Sequence, residues 1–101
     1  MCTSATIGKL ADELEALLAA NPMVGAKPEV IKQLEFLTAR LTAYDQVGGD
    51  KASAIVQKAK ILYSARKHWD YPGGTDALRA EMQGLLGQIR QAARHRERLG
   101  D

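Results

Sequence analysis

What this chain lacks narrows its function before any motif is sought. It has one cysteine, Cys2, so no internal disulfide can form and a reducing compartment is the default setting. No stretch approaches the roughly 18 consecutive apolar residues of a membrane span, and the N-terminus has no basic region followed by an apolar run. The expected location is therefore the cytoplasm, with no membrane partner.

Histidine is also scarce. His68 and His95 stand on different helices, and neither has the Glu-x-x-His or His-x-x-x-His spacing that an inward-facing metal site in a helical bundle requires. Carboxylates are few on the apolar faces. Ser4, Ser53 and Ser64 have no nearby histidine in sequence and no elbow motif, and the glycine pairs follow no strand that would make a phosphate-cradling loop. No metal, no cofactor and no enzymatic activity are expected.

Apolar residues make up 46% of the chain and charged residues 26%, an ordinary balance for a globular protein and contrary to disorder. At 101 residues it should form a single helical domain, 1–101, with a modest core. The net charge of +2 hides an asymmetry. Residues 1–50 carry four Lys/Arg against seven Asp/Glu, and residues 51–101 carry ten against five. Such a split marks either an electropositive face or mutual attraction between helices.

Apolar residues recur at helical spacing in four segments. The first, about 4–20, carries Ile7, Leu10, Ala11, Leu14, Leu17 and Leu18, and Asn21-Pro22 ends it because the residue before proline is pushed out of the helical region. Met23 and Val24 in the following loop are expected to fold over one end of the core. The second, about 28–46, opens on Pro28, which suits a first helical position, and carries Val30, Leu34, Leu37, Leu41 and Tyr44.

Gly48-Gly49 reads as a stop, with Asp50 as the cap of a third helix reaching Trp69. Pro72-Gly73-Gly74 breaks the chain again, and Thr75 is placed to cap the fourth, about 75–99. Four amphipathic helices joined by short turns predict an all-α antiparallel up-down bundle, the last helix longest.

That last helix is the most suggestive element. Leu78, Met82, Leu85, Ile89 and Ala92 form its apolar stripe, while Arg90, Arg94 and Arg98 line the opposite side with Gly84 and Gly87. At ~1.5 Å per residue it outruns the first helix by roughly 13 Å, so the stretch from Arg90 onward is expected to lack intrachain cover. Mid-helix glycines cost about 1 kcal/mol each against alanine, which a closely approaching partner would explain.

A second cluster is Arg66, Lys67, Trp69 and Tyr71, residue types enriched at binding hot spots. Trp69 has two readings: a plug closing the bundle, or a contact for a partner. Phe36, about 120° off the stripe of its helix, gives a parallel signal. The favoured function is a non-enzymatic helical protein-binding module, an adaptor, chaperone, inhibitor or complex subunit, with a homodimer through the last helix as one form. The alternative is RNA or DNA bound by the arginine face, although that helix has no aromatics to stack on bases.

Overall fold

The computed structural model describes residues 3–100; Cys2 and Asp101 lie outside them. Four helices follow in order: α1 (Thr3–Ala20), α2 (Pro28–Tyr44), α3 (Gln46–Leu62) and α4 (Gly74–Arg98), with a short 3-10 turn at Lys67–Asp70 before α4. Each helix packs on its neighbours in the chain and α4 closes back onto α1, giving a four-helix bundle. The alternation of direction is fixed at one end, where Tyr63 at the close of α3 donates its hydroxyl to the carbonyl of Asn21 and Arg79 of α4 donates to the carbonyls of Asn21 and Pro22. No helix among the described residues is long and apolar enough to cross a membrane.

The core draws on all four helices. Ile7, Leu10 and Leu14 of α1, Leu34 and Leu41 of α2, Ile55 and Leu62 of α3, and Leu78, Met82, Leu86 and Ile89 of α4 are almost wholly enclosed. Each such side chain contributes about 1.5–3 kcal/mol through burial, which makes this cluster the main favourable term. On α4 Leu78, Met82 and Ile89 of the expected stripe are enclosed together with Leu86 and Ala93, whereas Leu85 and Ala92 of that stripe are only half-buried. The helix sits between α1 and α3, so its buried arc is wide and centred one residue further round. Tyr44, placed on the stripe of α2, is exposed, as are Met23 and Val24, which do not cover the core.

Three boundaries differ from the predicted ones for identifiable reasons. Gly48-Gly49 does not stop a helix. The α2–α3 connection is Asp45 alone, in extended conformation, and its carboxylate accepts from the N–H of Gly48 at 2.6 Å. The glycines occupy the first turn of α3 because the helices meet closely there: a Cβ on Gly49 would lie 2.8 Å from Cα of Thr42. Asp50, the expected cap, accepts instead from the side chain of Gln46.

The third helix ends at Leu62 and not at Trp69, because Tyr63 is drawn off axis. Its hydroxyl is held by Asn21, its carbonyl accepts from the N–H of Lys27, and Ser64 donates to the carbonyl of Ile61. The start of α4 is set by Pro72-Gly73: Gly74 donates to the carbonyl of Tyr71 at 2.8 Å across a turn in which Gly73 adopts φ +86° and ψ −4°. Proline then glycine in these positions defines a type II turn. Gly73, rather than Thr75, is the cap residue.

Candidate partner-binding surfaces

Of the residues singled out in the sequence, Arg66, Lys67, Trp69 and Tyr71 come together around the 3-10 turn. The turn is pinned from both sides. His68 points inward and is buried, its Nδ1 without a hydrogen-bond partner, and its ring meets Trp69 edge-on with centroids 5.7 Å apart. Beyond it, Tyr71 donates its hydroxyl to the carboxylate of Glu81 at 2.8 Å, and the ammonium of Lys58 donates to that carboxylate at 2.9 Å and to the hydroxyl at 3.2 Å. Lys58 lies 5.8 Å from the Tyr71 ring centre because it is bonded to the hydroxyl at the ring's edge.

These bonds shift both charged groups toward their ionised forms. The bond from Lys58, then that from Tyr71, holds Glu81 below the ordinary glutamate value; the bond to Glu81, then that to Tyr71, raises Lys58. Held by this triad and by His68, the turn presents Trp69 outward, 71% exposed, with Arg66 and Lys67 exposed beside it. The plug reading of Trp69 is overturned: with α3 ending at Leu62, the face that would have carried it inward no longer continues, and His68 takes the inner place.

The arginines of α4 separate. Arg90 was expected on the free outer side from which cover had run out, but its guanidinium donates to Asp12 at 2.9 Å and Glu15 at 3.0 Å on α1. Both carboxylates hold it protonated above its ordinary range, the bond to Asp12 most strongly and desolvation opposing. Ala93 is buried, and Arg96 donates from Nε to Asp45 at 2.7 Å. The end of α4 is therefore covered nearly to its last turn. The surplus length lies at the other end, where α4 supports the 3-10 turn. Arg94 and Arg98 are exposed. Gly84 and Gly87 face outward, with no heavy atom within 4 Å of where a Cβ would stand.

The seam between α1 and α2 is a surface to which Phe36 alone pointed in the sequence. It holds an open groove of about 590 Å³ lined by Ala16, Leu17, Phe36 and Leu37, with Glu13 on one side and Lys32 and Gln33 on the other. A second cleft, about 760 Å³, lies between the start of α3 and the end of α4, among Val47, Lys51, Ala92, His95 and Leu99. Among the described residues no group of three or more His, Cys, Asp or Glu could hold a metal ion. Compared with family models, with curated proteins and with solved structures, the chain matches none.

Proposed function

We infer that this chain is a small non-enzymatic module that binds a protein partner through the Trp69 turn, in a cytoplasmic setting. The observation that carries this reading is the placement of the only tryptophan. A large amphipathic ring stands 71% exposed on a turn whose backbone is fixed by the buried His68 and the Tyr71–Glu81–Lys58 triad. Burying such a ring on a partner gains its apolar area while little backbone freedom remains to be lost. Arg66 and Lys67 supply a cationic rim suited to carboxylates on the partner.

The test is affinity capture from the native host with wild type, Trp69→Ala and Arg66→Glu/Lys67→Glu proteins, each first checked for an unchanged melting curve. A partner retained by wild type and lost by Trp69→Ala supports the reading, and a blue shift of the single tryptophan's emission on adding that purified partner would place the contact. Identical captured sets from all three proteins would sink it.

The nucleic-acid reading keeps one supporting observation, the exposure of Arg94 and Arg98. It is weakened because Arg90 is engaged by Asp12 and Glu15, which breaks the three-arginine ridge. Titration with mixed oligonucleotides at ~50 mM salt decides it, since phosphate contacts strengthen at low ionic strength. Binding that Arg94→Glu/Arg98→Glu abolishes would promote this reading over the first.

A further inference from the structure

Of the four seams of the bundle, that between α1 and α2 has the least contact between its helices. Phe36 is 65% exposed along it, and Leu17 and Leu37 are only half-buried. Its two rims carry opposite charge. On the α1 side stands Glu13, whose Oε2 is buried without a hydrogen-bond partner. On the α2 side stand Lys32 and Arg40. The Arg40 guanidinium lies 6.0 Å from the Phe36 ring centre and 3.9 Å from Glu13, beyond hydrogen-bond reach. Lys32 has no ion-pair partner among the described residues.

We propose that this groove is covered by a second copy of the chain, in a two-fold dimer that lays each α1 against the partner's α2. A two-fold interface must be complementary to itself. Rotation about an axis parallel to the helices keeps each residue at its own height and brings the α1 rim of one copy over the α2 rim of the other, so that Glu13 meets the partner's Arg40, twice over, with Lys32 about two turns along the same basic rim. Phe36 and the partner's Phe36 then lie on the enclosed apolar floor. A partner bearing one sign of charge would meet its like on one of the two rims, which disfavours it.

The face spans two helices of about 26 Å and covers on the order of 500 Å² per copy. That is the low end for specific interfaces, the size class of weak and transient association. The α1–α2 seam is diagonally opposite α3–α4 in the ring, so the dimer is joined back to back with a Trp69 turn on each outer side. This proposal stands independently of what the Trp69 turn binds.

The test is sedimentation velocity on the full chain over a micromolar to low-millimolar concentration series. Wild type should pass from monomer to dimer. Phe36→Ser, at a position too exposed to unfold the bundle, should remain monomeric with an unchanged circular dichroism melt. Glu13→Lys and Lys32→Glu/Arg40→Glu should each weaken the dimer at least tenfold, and the protein carrying all three changes should recover it. A wild type that stays monomeric throughout, or a dimer indifferent to Phe36→Ser, overturns the proposal. Failure of the combined charge swap to restore association overturns the orientation.

Discussion

The α1–α2 and α3–α4 seams are opposite sides of one bundle, each formed by an antiparallel pair, and they are finished differently. Between α3 and α4, a 3-10 turn and the Lys58–Tyr71–Glu81 triad tie the two helices together at one end, and α3 buries the small Ala52 and Ala59 beside Ile55 and Leu62. Between α1 and α2, Leu17, Leu37 and Phe36 stand partly or largely in the open, and the one charge pair across the seam among the described residues, Arg40 with Glu13, is long. Topology alone does not seal a hairpin of helices; the size of the side chains along it and the presence of a strap do.

The largest test of that contrast is in the core. Leu86→Ala should destabilise by ~2–5 kcal/mol, since the side chain is fully enclosed, while Leu37→Ala on the open seam should cost less than about 2 kcal/mol. Urea unfolding measures both, and equal losses would refute the difference in closure. Next comes Gly49→Ala, expected to cost ~1–3 kcal/mol because the new Cβ meets the backbone of Thr42 where α2 and α3 touch. A neutral result would show that the corner can yield.

Cutting the strap should have a smaller effect. Tyr71→Phe removes the hydroxyl that links Lys58 and Glu81 and should cost ~0.5–1.5 kcal/mol. The charges add a pH signature. Glu81 is held below its ordinary 4.5, so its stabilisation is complete above that value and is lost as pH falls through the lowered one. Lys58 is raised, so its share is complete below 10.5 and is lost as pH rises through the raised value. The melting gap between wild type and Glu81→Gln should therefore be widest near neutrality and close toward acid; a gap that persists unchanged into acid would contradict the pairing. Smallest, and opposite in sign, is Gly84→Ala. With open space where its Cβ would go, it should stabilise by up to about 1 kcal/mol, read as a rise in melting temperature.

The two glycine substitutions also show where legibility ended. Gly49 and Gly84 are the same residue in helical surroundings, and nothing local says that one faces a neighbouring backbone and the other solvent. Stops marked by proline, at Asn21-Pro22 and Pro72-Gly73, were readable because proline's geometry acts within two residues. The end of α3 was not, because the hydroxyl of Tyr63 is held by a carbonyl 42 positions away. Arg90 looked unpartnered on a helical wheel because its acids lie 75 and 78 positions earlier. The Arg66–Tyr71 cluster was visible as composition, while Trp69's outward direction depended on where α3 stopped. The α1–α2 groove showed only as one misplaced phenylalanine, since the gap around it belongs to two helices at once.

The single residue joining α2 to α3 sets how the gene can vary. Asp45 caps α3 and anchors Arg96, leaving no slack on either side. One codon inserted in the first turn of α3 would turn the residues beyond it by about 100° around the helix axis, carrying Ala52, Ile55 and Ala59 off the core. The stretch 23–26, by contrast, lies between the anchored Asn21–Pro22 and Lys27 and could take up added length without disturbing the register of any helix. Tags, fused domains and new chain termini from circular permutation are therefore to be placed at that end of the bundle and kept away from the corner.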